Sequence, residues 1–169
     1  MVDHAVAAAE LVDEVLRKVR RVSTELRPVL DHLGLAAALQ HEVRLFGERH
    51  ALRCELDLPP SLPAVSAEAA TAVYRICQEA LTNVARHAGA ASVRVSLRAE
   101  QGALALRVED DGRGIAPRQG APSGLGLVGM RERAERLGGK LLVAPREGGG
   151  TAVAAQLPIE PSPAVPPSA

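Results

Sequence analysis

The stretch that decides the fold is residues 109–130, EDDGRGIAPRQGAPSGLGLVGM. It combines an acidic, glycine-rich turn, a loop of small residues, and a second glycine cluster that leads into RERAERL, a segment with helical spacing and high helix propensity. Glycine lacks the side chain that would keep a ligand away from the backbone. The stretch therefore predicts a nucleotide pocket built from two glycine-rich elements.

The acidic turn supplies the first half of the predicted pocket. Residues 104–108 alternate as a strand does, and Asp110 follows at the strand's end. A fixed carboxylate there can accept a hydrogen bond from an amino group on a planar ligand. Gly112 and Gly114 permit positive φ and are expected to clear space for a ring or a ribose, because they have no Cβ.

The second glycine cluster, residues 124–130, supplies the other half. A helix is expected to start where RERAERL begins, and the free N–H groups of a helix start can bind phosphate. Gly129 and Arg131 are the nearest candidates. Asp-Gly and Gly-Leu-Gly also occur in turns that bind nothing, so it is their combination that favours a pocket.

Composition excludes several classes of protein. The 169 residues fit one α/β domain with a helical attachment, and 20 Lys and Arg balance 20 Asp and Glu, so no net field attracts nucleic acid or an anionic membrane. Tyr74 and Phe46 are the only aromatic residues, which argues against base-stacking platforms. Cys54 and Cys77 lack metal-site spacing and are expected to be free thiols in a reducing compartment.

No apolar run approaches the ~20 residues that a membrane span needs. We therefore expect this segment to be cytoplasmic and to make no membrane contact, whether or not a longer parent protein is anchored in a membrane.

Two helical patterns precede the predicted pocket domain. Residues 5–27 carry a narrow apolar seam that predicts helix pairing, formed by Val12, Val15, Val19, Val22 and Leu26. After Pro28, residues 35–49 resume the pattern, with one apolar face formed by Leu35, Leu39, Val43 and Phe46. We expect three parts: a helical segment at 1–50, a globular domain at 51–158, and a disordered proline-rich tail at 159–169.

The longest helix of the domain is expected over residues 66–89, with Ser66 as its N-cap and Gly89 as its stop. Beside its buried stripe, Glu79, Asn83 and His87 recur every four residues. Such a stripe can be a solvated face, but next to a nucleotide pocket it favours a site in which Asn83 and phosphate oxygens hold Mg²⁺. Strands are expected at 51–58, in a hairpin of 92–99 with 103–108, and in a second hairpin of 141–144 with 151–157.

Taken together, residues 66–158 resemble the catalytic ATP-binding domain of sensor histidine kinases, in the wider family of gyrase-type and Hsp90-type ATPases. Four ordered elements carry the resemblance. Residues 79–88 (EALTNVARHA) resemble the N box, 110–114 (DDGRG) and 124–130 (GLGLVGM) the two glycine boxes, and 148–151 (GGGT) the last glycine-threonine element. The form GLGLVGMRER and a short lid at 115–123 are most similar to the nitrate-sensor and DesK-like subfamily. The resemblance implies an α+β fold, a two-layer α/β sandwich of the histidine kinase and Hsp90 type preceded by a helical segment.

The resemblance also implies a set of ATP-binding residues. They are Asn83, Arg86, His87, Asp110, Gly112, Gly114, Gly124, Leu125, Gly126, Gly129, Met130 and Thr151. Asp110 would accept a hydrogen bond from the adenine amino group with Thr151 at the same end, above a floor shaped by the first glycine box. Asn83 would hold Mg²⁺.

At the phosphate end, the resemblance implies that Gly124, Gly126 and Gly129 let the backbone approach the phosphates, and that Arg86 and His87 face them. Glu79 matches the acidic N-box position, which polarises the attacking group in related ATPases, and is the catalytic residue that the resemblance implies.

Residues 23–35 resemble the second helix of the dimerisation and phosphotransfer hairpin of the same subfamily. The first hairpin helix has no counterpart, because His4 is followed by alanine and His32 lies in an LxxLGL segment rather than in an acceptor motif. The chain is therefore expected to be a fragment or an incomplete kinase. It would donate the ATP γ-phosphoryl group to a histidine on a missing dimerisation helix, for relay to a response regulator receiver domain, within a homodimer of the full-length protein.

Two other functions fit the same residues. One is an ATP-binding interaction module with little transfer activity, which the missing acceptor helix favours. The other is an anti-sigma-factor-like serine kinase, which the hairpin-like residues 5–50 disfavour.

Overall fold

The computed structural model describes residues 34–114 and 125–159. The predicted apolar seam at 12–26, the short lid, Gly124 and residues 160–169 of the predicted tail lie outside the described residues. Ile159, the first residue of that tail, makes two backbone hydrogen bonds. Its N–H donates to the Gly102 carbonyl at 3.0 Å, and its carbonyl accepts from the Ser66 N–H at 3.4 Å. The packed chain therefore runs one residue further than predicted.

The described chain forms three helices and one five-stranded sheet. In chain order they are α1 (34–50), β1 (Arg53–Asp57), α2 (Ala67–Asn83) with a π-helical turn (Val84–Ala88), β2 (Ser92–Glu100), β3 (Ala103–Asp110), α3 (Leu125–Glu135), β4 (Lys140–Pro145) and β5 (Thr151–Pro158). The strand order is β1-β2-β3-β5-β4, and only β1 and β2 pair in parallel. Apolar strand residues share one buried core with the helices, which confirms the predicted two-layer α+β sandwich. No helix within the described ranges is long and apolar enough to cross a membrane.

Helix α2 forms as its sequence predicts. The Ser66 hydroxyl accepts a hydrogen bond from the Ala69 N–H at 3.1 Å, and Glu68 lies in the first turn, where a negative charge is favourable. Gly89 takes φ 58, the left-handed conformation that ends helices. The predicted apolar stripe is buried, and it comprises Val73, Ile76, Ala80 and Val84. This stripe holds α2 against the sheet and leaves its neighbouring polar face free for the site.

Helix α1 packs into the same core. Its predicted apolar face is buried, through Leu35, Leu39, Val43 and Phe46. The buried Tyr74 hydroxyl on α2 donates to Glu42 on α1 at 2.6 Å, and the Gln78 amide donates to the same carboxylate oxygen at 3.2 Å. Burial, and then Glu42, raise the pKa of Tyr74. The core thus continues across the domain boundary predicted at residue 50, and that boundary stays a prediction.

Both predicted hairpins are present. Glu100 pairs with Ala103, so the β2–β3 turn contains two residues, Gln101 and Gly102, with φ 51 and 76. Two successive positive φ values are typical of the tight hairpin turn whose twist matches the strands. The strands predicted at 92–99 and 103–108 leave three residues between them, whereas Glu100 is already paired in the structure.

Asp111 fastens the end of β3 to the start of β2. Its Oδ1 accepts the Ala91 and Ser92 N–H groups, each at 2.8 Å, and its Oδ2 accepts the Ser92 hydroxyl at 2.7 Å. The Ser92 hydroxyl, followed by these backbone donors, lowers the pKa of Asp111 to about 2. Because the folded pKa lies below the ordinary value of 3.8, the ionised carboxylate stabilises the fold at neutral pH.

We therefore expect Asp111→Ala to lower the urea midpoint of unfolding at pH 7. The gap between the two proteins should persist down to about pH 4 and close as the pH falls towards 2, where wild-type Asp111 is also protonated. Glu132→Ala, at an exposed carboxylate of α3, is the control and should show little gap at any pH. A gap for Asp111→Ala that does not change with pH would contradict a role for the charge.

Candidate functional site

One cavity of about 400 Å³ lies between α2, the π-helical turn, the strands β3, β4 and β5, and the start of α3. It brings together most of the site residues that the sequence predicts, namely Glu79, Asn83, Arg86, His87, Asp110, Gly114, Gly126 and Thr151. The predicted polar stripe of α2 therefore faces a cavity and is not merely a solvated face. Apolar side chains complete the lining, and they are Ala80, Val84, Ala88, Val108, Leu127, Val143 and Val153.

The sheet end of the cavity is apolar with two polar groups. Val108 and Val153 are paired on neighbouring strands, so Asp110 at the end of β3 and Thr151 at the start of β5 lie at the same edge. Asp110 is only 4% exposed, and its Oδ1 accepts the Gly112 N–H at 2.9 Å. The backbone thus orients the carboxylate while leaving it capacity to accept further donors. This end suits a flat apolar ring that carries an amino group.

The helix end of the cavity is polar. Glu79 and Asn83 stand one turn apart on α2, and Arg86 and His87 follow on the π-helical turn, the wider turn that often marks functional sites. Asn83 occupies the N-cap position of that turn, yet its side chain makes no capping hydrogen bond. Its amide oxygen is thus available to a ligand or a hard cation.

Gly112 makes a close contact within the protein. It does not take the positive φ that glycine permits and it does not line the cavity, and its contact with a nucleotide stays a prediction. A Cβ at Gly112 would overlap the Ala88 carbonyl, which accepts the Arg113 N–H at 2.9 Å. The glycine is needed because two backbone segments meet there. Gly114 does take φ 74 and lines the cavity, as predicted.

The β4–β5 loop packs closely against the end of β3, and again a glycine allows the two backbone segments to meet. Gly150 takes φ 92, and a Cβ there would overlap the Asp110 carbonyl. The Arg146 guanidinium donates to that carbonyl at 2.6 Å and lies 3.3 Å from Glu109, whose pKa is lowered first by its hydrogen bond with Arg107. Arg146 was missed by the sequence analysis, because nothing in the sequence signals that a loop arginine meets a carbonyl 36 residues away.

Helix α3 starts earlier than predicted. It begins at Leu125, so Gly126 and Gly129 are helical, although glycine costs about 1 kcal/mol relative to alanine in a helix interior. Burial of Met130 and Ala134 in the core outweighs that cost. Within α3, the N–H groups without a helical partner therefore belong to residues 125–127, and the prediction of free N–H groups at Gly129 and Arg131 is wrong.

Two further predicted contact residues do not reach the cavity. Met130 is fully buried in the core, and neither Met130 nor Gly129 lines the cavity, because both lie beyond the first turn of α3. Leu125 contributes the first residue of the helix. The candidate site is therefore narrower than the glycine cluster suggests.

Comparisons with known proteins agree with this geometry. The family model of histidine kinase-, DNA gyrase B- and HSP90-like ATPases matches residues 68–161. A sensor histidine kinase of Rhizobium johnstonii, MctS, is 40% identical over 149 residues, which make up 86% of this chain and 32% of that protein. The chain thus spans about a third of the length of this curated relative.

Solved structures show the same likeness. The histidine kinase domain of a blue-light activated kinase from Erythrobacter litoralis is 26% identical, with a TM-score of 0.62 over 74% of this chain and 60% of that one. The histidine kinase domain of the E. coli osmosensor EnvZ is 25% identical, with a TM-score of 0.57 over 79% of this chain and 91% of that one. With its two-layer fold and its cavity between helices and sheet, the chain belongs to the histidine kinase-, DNA gyrase B- and HSP90-like ATPase family and carries that family's ATP-binding domain.

Proposed function

We propose that this chain is the catalytic ATP-binding part of a two-component sensor histidine kinase. It would donate the γ-phosphoryl group of ATP to a histidine on a dimerisation helix that this chain lacks, within a homodimer of the parent protein. A response regulator receiver domain would then take the group from that histidine. The observation that carries the proposal is that one cavity has a recognition end at Asp110 and a charged end at Glu79, Asn83, Arg86 and His87.

At the recognition end, the adenine ring would lie against the apolar side chains that β3 and β5 present to the cavity. Asp110 would accept a hydrogen bond from the adenine amino group, and Thr151 adds a hydroxyl at the same edge. Because Asp110 is nearly fully buried, this hydrogen bond forms away from competing water. Guanine presents a carbonyl at that position, so the same carboxylate would repel it.

At the phosphate end, Arg86 and His87 offer cationic and hydrogen-bonding groups, and the first turn of α3 offers unpaired N–H groups. Among the described residues no group of three or more His, Cys, Asp and Glu side chains could hold a metal. Mg²⁺ would thus rest on the Asn83 oxygen and on phosphate oxygens, which is its usual manner of binding. When bound, Mg²⁺ neutralises the charge that develops on the phosphates.

Glu79 is the group that we assign to the attacking histidine. Phosphoryl transfer breaks the bond between the γ-phosphorus and the β–γ bridging oxygen and forms a bond to the imidazole nitrogen, with ADP as leaving group. The Glu79 carboxylate would accept the imidazole N–H and so orient the opposite nitrogen toward the phosphorus, and it would take that proton as the new N–P bond forms. The remaining work is positioning and charge stabilisation.

The test uses the chain, Mg²⁺-ATP labelled in the γ-phosphate, and a separate dimerisation hairpin that carries the acceptor histidine. We expect label on the hairpin that acid removes and alkali does not, and none when the acceptor histidine is replaced by glutamine. Bound ATP with an unlabelled hairpin would instead support an ATP-binding interaction module, the function that the missing acceptor motif favours. Acid-stable phosphoserine on a partner would support the serine kinase.

A further inference from the structure

The Glu79 side chain ends against the backbone of Gly126. A Cβ built on Gly126 would overlap Glu79 Oε1 and would lie 3.0 Å from its Cδ and 3.4 Å from its Cγ. The other described glycines that approach this closely, such as Gly112, Gly139 and Gly150, meet backbone atoms instead. At Gly126, the space of the missing side chain is taken by a carboxylate.

The position of this contact gives it chemical meaning. Gly126 is the second residue of α3, so the carboxylate lies beside the first turn, whose N–H groups have no helical partners. A negative charge is favourable there. Both residues also line the cavity at its charged end. A carboxylate at this place therefore faces the end of the cavity at which we propose the phosphates bind.

We propose that Gly126 is a positioning residue, which admits the Glu79 carboxylate to the first turn of α3 and thereby fixes its orientation over the cavity. The reading from the sequence, that Gly126 lets the backbone approach phosphate, makes a different prediction about substitution. In our proposal, a Cβ at residue 126 lowers phosphoryl transfer only because it displaces the Glu79 carboxylate. The part of the proposal that concerns transfer rests on the proposed function, whereas the contact itself does not.

Gly126→Ala is a mild change to the fold. The atom that a new Cβ would overlap is the far end of a flexible side chain, so the carboxylate can move aside without a backbone shift. Alanine is also the better helix former. We expect the melting temperature of Gly126→Ala to equal or exceed that of the wild type. Gly129→Ala is the matched control for this effect, because a Cβ there meets only Arg133 Nη2 at 3.8 Å.

The first measurement needs neither ATP nor an acceptor. Carbon-13 spectra of glutamate-labelled protein report each side-chain carboxyl, and Glu79→Gln identifies the Glu79 signal by its loss. We expect Gly126→Ala to move the Glu79 signal more than any other carboxyl signal, and Gly129→Ala to leave it in place. An unmoved Glu79 signal in Gly126→Ala would overturn the proposal, even if the chain transferred no phosphate at all.

The second measurement is a double-mutant cycle with the acceptor hairpin. We expect Gly126→Ala to lower the transfer rate kcat about tenfold or more while KM for ATP changes less than about threefold. In the Glu79→Gln background, Gly126→Ala should change kcat less than about twofold, because the carboxylate it would displace is already gone. An equal loss of kcat in both backgrounds, or a loss of ATP affinity in both, would overturn the proposal. Either result would support the alternative role, in which Gly126 lets the backbone approach the phosphates.

Discussion

Replacing Asp110 by asparagine should lower the affinity for Mg²⁺-ATP about tenfold to a hundredfold and leave the protein folded. The asparagine Oδ1 can still accept the Gly112 N–H at the position where Asp110 accepts it at 2.9 Å, so the turn is kept. The other oxygen becomes an NH₂ group, which meets the adenine amino group donor to donor. Losing one hydrogen bond to a charged group costs about 1.5–3 kcal/mol, and tenfold in affinity corresponds to about 1.4 kcal/mol.

Calorimetric titration of Mg²⁺-ATP into the wild type and Asp110→Asn makes this measurement. Asp111→Asn is the matched control, because it removes the neighbouring charge outside the cavity while its Oδ1 can still accept the Ala91 and Ser92 N–H groups. We expect the control to bind within about twofold of the wild type. Equal binding by Asp110→Asn would mean that the adenine ring lies in another orientation. If the folded wild type bound no ATP, the glycine boxes would be turns that form no nucleotide site.

The sequence predicts the elements well where one segment decides its own conformation. Ser66 and Gly89 bound α2 because capping and positive φ are local properties, and the alternation in residues 92–110 is enough for two strands. The polar stripe of Glu79, Asn83 and His87 needs only helical periodicity. Local sequence patterns are therefore enough to identify most of the polar residues that line the cavity.

The sequence fails where two distant segments meet. The sequence does not show that a Cβ at Gly112 would overlap the Ala88 carbonyl, or that one at Gly126 would overlap the Glu79 carboxylate. The start of α3 is misplaced for the same reason, since helix propensity counts two glycines and cannot count the burial of Met130. A glycine in the sequence indicates that another group can approach the backbone closely, but it does not show which group that is.

Replacing Asn83 by alanine should remove most of the gain in ATP affinity that Mg²⁺ provides. Asn83 lines the charged end of the cavity and its side chain is not spent on capping, so its loss should cost the fold little. If its oxygen is the protein ligand of Mg²⁺, the metal keeps only phosphate and water ligands in the variant. We expect a ratio of affinities with and without Mg²⁺ that falls about tenfold to a hundredfold, the range for a lost bond to a charged group.

The comparison of metal-loaded and metal-free titrations separates this role from general damage to the site. In excess chelator, wild type and Asn83→Ala should bind ATP within about twofold of each other, because Asn83 then has no ion to hold. Thr82→Ala is the matched control, since Thr82 precedes Asn83, bonds the Gln78 carbonyl at 2.8 Å and does not line the cavity. It should keep the full gain from Mg²⁺. If both variants lost the gain, the helix rather than the oxygen would be responsible, and an undiminished gain in Asn83→Ala would place the ion on other ligands.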